Sequence, residues 1–351
     1  MSSLFVGPAN FAGQGHQWAR ATERAGAVAK AESFTLDEAN RFAFPVDCSV
    51  AAATYRFDQD WQRSQVDRLT RDFSHVLFEA FRPLFGDLFR LDPWAEAAEL
   101  RRLGLKVAAM AHGSEVRVPS LHAGRHSFSP FGAMPADELV PLEAIARRNL
   151  ALAASFPGPI FVSTPDLLDW LPEATWCPVV ADQAVWRVAP TEFVRPVPVV
   201  AHVPSNAALK GTAEARAAAS ELDQAGLIEY RELRGVAPAA MPAAIQAADV
   251  VLDQFALGSY GVAAAEAMSA GRVVVGNVTP KVRAHVAAAT GLDLPIVQAE
   301  PLDVGETLRR LVADREAGRQ AAAAGQAFAA AAHDGVAAAE ALTARFLGDE
   351  S

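Results

Sequence analysis

Residues 247–277 read AADVVLDQFALGSYGVAAAEAMSAGRVVVGN, and the fold is decided here. The apolar run Val250-Val251-Leu252 is closed by Asp253 and followed by the turn Gly258-Ser259-Tyr260-Gly261. A helical pattern covers Val262 to Ala270, stops at Gly271 and gives way to the β-branched run Val273-Val274-Val275. Strand, glycine turn, helix, glycine stop, strand is the grammar of a parallel α/β sheet. The glycine turn lies at the carboxyl end of a strand and opens a helix. Backbone N–H groups and the positive end of the helix dipole can meet an anion there. Glu266 follows about two turns into the helix. It reads either as a helix residue or as an acceptor for a ribose hydroxyl, the usual partner of an acid in nucleotide-binding α/β folds.

Outward from this stretch, the 351-residue chain is long enough for two domains. An apolar fraction of 51% with 21% charged residues is that of a globular protein. The formal charge of −10 argues against nucleic acid as a general ligand, while leaving room for a local basic patch. No apolar run has the length of a membrane span, and the N-terminus lacks a signal pattern, so no transmembrane segment is expected. Cys48 and Cys177 belong to no metal or redox spacing, which fits a reducing, cytoplasmic location.

Three further stretches carry chemistry. The first strand, Leu4 to Pro8, runs into a turn containing Gly13 and Gly15 and a helix from His16, where a ligand can approach the backbone. The strand Lys106–Met110 ends in Ala111-His112-Gly113-Ser114-Glu115-Val116-Arg117, at a sheet edge of the kind that binds ligands. His112 reads as a strand-end histidine held by backbone or as an active-site residue; Glu115 and Arg117 read as loop braces. The strand Val199–Val203 leads through Ser205 and Asn206 to Lys210-Gly211-Thr212 and a long helix, placing a point charge where a diphosphate would sit. His122 and His126 fall in a Ser-, Pro- and Gly-rich loop without the cysteine or carboxylate that would complete a metal set. Trp61 with Arg63, Arg68 and Arg71 offers a helix face that is either simply solvated or basic enough for a phosphorylated or membrane-bound acceptor.

Residues 258–275 resemble the donor-site motif of the GT-B glycosyltransferases, especially the bacterial retaining enzymes of family 4. That motif runs Glu, seven residues, Glu, then Ala-Met-Ala-x-Gly-x-Pro-Val-Val. Here Glu266 is the second acid, followed by Ala-Met-Ser-Ala-Gly-Arg-Val-Val-Val, and the first acid falls on Gly258. The segment at His112 is similar to the family's His-Gly-Ser-Asp-x-Arg, whose histidine faces the donor sugar. Lys210-Gly211 matches the family's Lys-Gly, but Pro204 and Ser205 stand where its diphosphate-binding Arg would be.

The resemblance implies an α/β fold of two Rossmann-like domains facing across a cleft (GT-B). It implies an acceptor-side domain over 1–180, a donor domain over 181–335 and a helix over 336–351 crossing back to the first domain. The implied activity is sugar transfer from a nucleotide-diphosphate sugar to an unidentified acceptor, with retention and with neither metal nor cofactor. The implied donor contacts are Gly13, Gly15, Ser205, Asn206, Lys210, Val236, Gly258, Ser259, Tyr260, Gly261 and Glu266. The catalytic candidates are His112 and Asp253, the latter as the acid nearest the gap at Gly258. Two other readings stay open: a non-catalytic nucleotide-sugar binding module and a sugar-nucleotide epimerase on the same fold. Peripheral membrane contact by the acceptor side is also compatible.

Overall fold

The residues described by this computed structural model, 2–204 and 206–348, include twelve short strands, most of them runs of apolar residues. They form two sheets, and the chain divides into two units, one around each.

The first unit comprises residues 1–118, 142–180 and 335–351. Its strands are β1 (Ser3–Gly7), β2 (Lys30–Leu36), β3 (Cys48–Val50), β4 (His75–Glu79), β5 (Lys106–Ala111), β6 (Ile160–Val162) and β7 (Thr175–Trp176). They lie in the order β3-β2-β1-β4-β5-β6-β7, and every pairing is parallel. This order reverses between β1 and β4, which makes their carboxyl ends the topological switch point. Parallel strands covered on both faces read as continuous apolar runs. Accordingly Leu4, Phe5, Val6, Val76, Leu77 and Phe78 are all fully buried. One face packs Leu4, Val6, Leu77, Ala108 and Met110 against Trp18 and Ala19 of the helix Gln14–Arg24 and against Ala338 and Leu342 of the helix Val336–Leu342. The helix Val336–Leu342 is therefore part of this unit's core.

The arginines of the helix Gln59–Asp72 do not form an open basic face. Arg68 pairs with Glu32 at 2.6 Å, Arg71 with Asp72 at 2.7 Å and Arg63 with Asp60 at 3.6 Å. Trp61 stacks on Phe34 with centroids 6.2 Å apart. Among the described residues no helix is long and apolar enough to cross a membrane.

The second unit comprises residues 119–141 and 181–334. Its strands are β8 (Val199–His202), β9 (Glu229–Glu232), β10 (Val250–Leu252), β11 (Val273–Gly276) and β12 (Val297–Gln298), in the order β12-β11-β10-β8-β9, again all parallel. The switch point falls between β8 and β10. Val200, Val250, Leu252, Val273 and Val275 pack against Ala215, Ala219 and Leu222 of the helix Thr212–Gln224 and against Val304 and Leu308 of the helix Val304–Ala313.

One segment departs from the boundary drawn at 180/181. The segment 119–141, inside the first domain by sequence and containing the helix Pro119–Arg125, belongs to the second unit, where His122 Nε2 reaches the carbonyl of Leu257 at 3.3 Å. The proline-rich stretch after Val180 is tied down by hydrogen bonds within the second unit. Arg272, which donates to four backbone carbonyls, holds Ala189 O at 2.5 Å, and Thr191 Oγ1 donates to Asp249 at 2.7 Å.

Candidate functional site

Each sheet carries a cluster of polar side chains at its switch point. In the second unit, β8 ends at His202 and β10 at Leu252, next to Asp253. His202 is fully buried; its Nδ1–H donates to Leu252 O at 2.8 Å and its Nε2 accepts from Thr212 Oγ1 at 2.8 Å. Burial holds its pKa below the usual histidine value, so the ring is a neutral strut between the two strand ends and the helix Thr212–Gln224. The chain between β8 and that helix makes one short turn, Ala207–Lys210, capped by Asn206 through its Oδ1, and reverses at Gly211 with φ +64°. A Cβ on Gly211 would sit 3.1 Å from Phe255 Cβ, which together with the positive φ explains the glycine.

Lys210 is thereby folded inward, and Nζ meets Asp253 Oδ1 at 2.5 Å with both side chains almost wholly buried. The other oxygen of Asp253 accepts from the N–H of Gly261, at the start of the helix Val262–Ser269, at 3.2 Å. Two helix N-termini and one lysine thus converge where the strand order reverses, an arrangement suited to an anion. Glu266 lies half-buried in the second helix, and no described residue hydrogen-bonds its carboxyl. Desolvation raises its pKa to about 8; the nearby Lys210 charge opposes that rise and the Asp253 charge adds to it.

The glycine turn is closed rather than open. Gly258 has φ +71°, and a Cβ there would lie 2.7 Å from Thr279 Cγ2 and 3.2 Å from the His126 ring. His126 stacks on His122 at 4.2 Å, and His122 Nδ1 accepts from Ser129 Oγ at 2.8 Å. The two histidines of the 119–141 loop therefore cover the turn. Among the described residues no group of His, Cys, Asp and Glu is placed to hold a metal. Ser259 is buried with its hydroxyl unbonded, and its carbonyl accepts from Gln254 Nε2 at 2.8 Å. Tyr260 points away into the core, its hydroxyl 3.2 Å from His333 Nε2. Val236 sits half-buried in the loop after β9, one strand beyond the cluster. Ser205 lies outside the described residues.

In the first unit the cluster is built on Glu79, the last residue of β4, which is completely buried. Its Oε2 accepts from the N–H groups of Ala9 at 3.0 Å and Asn10 at 2.8 Å, so the loop after β1 wraps the carboxylate. Gly13 turns that loop with φ +74°, and a Cβ on Gly15 would come within 3.0 Å of Glu79 Oε2. The glycines thus serve a carboxylate that the sequence reading passed over. A signal was present: an acid closing the apolar run Val76-Leu77-Phe78 at the binding edge of the sheet. His112 follows β5, with Nε2 3.2 Å from Glu79 Oε1 and its ring between Phe11 and Trp18. Glu115 and Arg117 do brace the loop, though not with each other. The Glu115 carboxylate accepts from the N–H groups of His112 and Gly113, and Arg117 pairs with Asp166 at 2.6 Å.

No family model matches this chain, and no curated protein matches it by sequence. Its three-dimensional likenesses are extensive. HepE of Anabaena, solved with UDP and glucose, superimposes with a TM-score of 0.62 at 12% identity, covering 98% of each chain. Sucrose-phosphate synthase of Thermosynechococcus elongatus gives 0.60 at 13% identity over 97% of this chain and 96% of that one. A glycosyltransferase of Rickettsia africae gives 0.58 at 8% identity over 98% and 97%. At such low identity the likeness is one of fold: two Rossmann-like α/β units built on the GT-B plan of these proteins.

Proposed function

We propose that the chain is a glycosyltransferase that takes its sugar from a nucleotide-diphosphate donor. The observation that carries this reading is the convergence of Lys210 and two helix N-termini at the switch point of the second sheet, with the Glu266 carboxyl nearby. Solved structures of the same fold bind UDP, or UDP with glucose, which supports a nucleoside diphosphate as the anion. On this reading Lys210 and the backbone N–H groups stabilise the leaving diphosphate, doing without metal what a bound cation does elsewhere. Glu266 takes the ribose hydroxyls. His112, at the switch point of the first sheet, faces the sugar, and transfer proceeds with retention at the anomeric carbon.

Asp253 has a different part from the one its position suggests. Only 1% exposed, and engaged by Lys210 and the Gly261 N–H, it orients the phosphate-binding groups rather than touching the sugar. With Asp253 occupied and Gly258 sealed by Thr279 and His126, no carboxylate stands at the first acidic position of the motif. That geometry favours one rival, a nucleotide-sugar binding module without turnover. The two readings separate in an assay of nucleoside-diphosphate release from a panel of donors with a chelator present. Release that depends on an added acceptor supports the transferase; tight donor binding without release supports the module.

A further inference from the structure

We propose that Glu79 is a positioning residue for His112, holding its imidazole as the Nε2–H tautomer so that Nδ1 offers a lone pair to a hydroxyl group. That the hydroxyl belongs to a sugar rests on the function proposed above; the tautomer does not.

Two buried atoms face each other at the end of β4. Glu79 Oε2 is already used by the N–H groups of Ala9 and Asn10. Glu79 Oε1 and His112 Nε2 are both buried without a hydrogen-bond partner among the described residues, and they lie 3.2 Å apart. The contact meets the distance of a hydrogen bond but not its direction. Because neither atom has another partner, that one bond satisfies both. A buried carboxylate only accepts, so the proton of a neutral imidazole facing it belongs on Nε2. Nδ1 makes no hydrogen bond among the described residues and becomes the ring's acceptor.

The surroundings are built to keep this pair. The edge of Phe11, with centroids 5.1 Å apart, and the tilted face of Trp18, at 5.5 Å, confine the ring. Glu115 pins the backbone N–H of His112 from the other side. Gly15 leaves the space that the carboxylate fills, since a Cβ there would lie 3.0 and 3.1 Å from its two oxygens. A carboxylate with no task beyond holding a loop would not need its second oxygen turned to a ring nitrogen at the sheet's binding edge.

The test is the tautomer itself, read by two-bond proton–nitrogen NMR correlation on the labelled full-length protein, with the His112→Asn spectrum identifying the ring. Wild type should show a protonated Nε2 and a bare Nδ1. In Glu79→Gln the single amide oxygen is needed by the Ala9 and Asn10 N–H groups. Its NH2 then faces Nε2, and the proton should move to Nδ1. A wild-type ring protonated on Nδ1 overturns the proposal, and so does a tautomer unchanged in a folded Glu79→Gln. If that variant does not fold, the wild-type spectrum decides alone. With a donor in hand, Glu79→Gln should lower kcat at least roughly tenfold while nucleoside-diphosphate affinity stays within about twofold. Weakened nucleotide binding with unchanged kcat would count against it. A wild type that turns over no donor sinks the transferase reading and leaves the tautomer to the spectra.

Discussion

Lys210 Nζ and Asp253 Oδ1 meet at 2.5 Å with their side chains 10% and 1% exposed, so the one lysine at the second switch point is held by a buried acid. The pair fixes where the positive charge points. It also ties the Lys210 turn to the start of the helix Val262–Ser269, because the same aspartate accepts from Gly261.

Removing one partner strands the other. Lys210→Met should lower unfolding stability by about 3 kcal/mol, the low end for breaking a buried pair, measured by urea denaturation. Lys210→Met combined with Asp253→Asn should recover most of that loss, because the charge is gone and the amide can still accept from Gly261. Both variants should bind nucleoside diphosphates more weakly by about 1.5–3 kcal/mol. A single variant as stable as wild type would show that the pair is not a structural tie.

Glu266 gives a pH signature. Its folded pKa of about 8 lies above the ordinary value of 4.5, because desolvation penalises the ionised form. Between those two values the unfolded chain has released a proton that the folded protein keeps. Stability should therefore fall as pH rises from about 4.5 to about 8 and level off beyond. Glu266→Gln should flatten this segment of the profile in thermal melts across that window. An unchanged slope would remove Glu266 as its cause.

The same protonation bears on ligand binding. A neutral carboxyl at pH 7 offers one donor and an acceptor, much as an amide does. Glu266→Gln should keep nucleoside-diphosphate affinity within about 1 kcal/mol, and Glu266→Ala should lose about 1–3 kcal/mol, by calorimetry. Wild type should also discriminate against 2′,3′-dideoxy nucleotides. Equal affinity for ribo and dideoxy forms would leave Glu266 without a ribose partner.

The sheet core was legible in the sequence, and the polar ties were not. The pattern of 247–277 predicts its strand, helix and strand, observed as Val250–Leu252, Val262–Ser269 and Val273–Gly276, because glycine stops and β-branched runs act locally. One edge strand of the second sheet is only Val297–Gln298, since Pro295 just before it cannot donate to a ladder. Lys210 reads as a free charge at a helix start; its partner is 43 residues away, and no local pattern announces it. Glu79 and His202 were missed for the same reason. Each closes an apolar strand, but its partners come from a neighbouring strand or from the loop or helix after one.

Gly258 marks where the chain departs from the motif it resembles, and putting a side chain back should fail. With φ +71° and Thr279 Cγ2 2.7 Å from the Cβ position, Gly258→Ala should cost about 1–3 kcal/mol. Adding Thr279→Ser, which deletes the obstructing methyl, should return part of that cost and leave the left-handed strain. Chemical denaturation of the three proteins checks this. A neutral Gly258→Ala would mean that the turn rearranges freely and that the missing acid has another explanation.

The central claim is that the second switch point binds a nucleotide-diphosphate sugar through Lys210 and the helix N-termini without a metal. Calorimetric titration of a donor panel, with a chelator present, tests it most directly. The account predicts saturable binding of at least one nucleotide sugar to wild type, weakened about tenfold or more in the folded Lys210→Met/Asp253→Asn protein. Equal binding by the two proteins, or no binding by wild type to any donor, would contradict it.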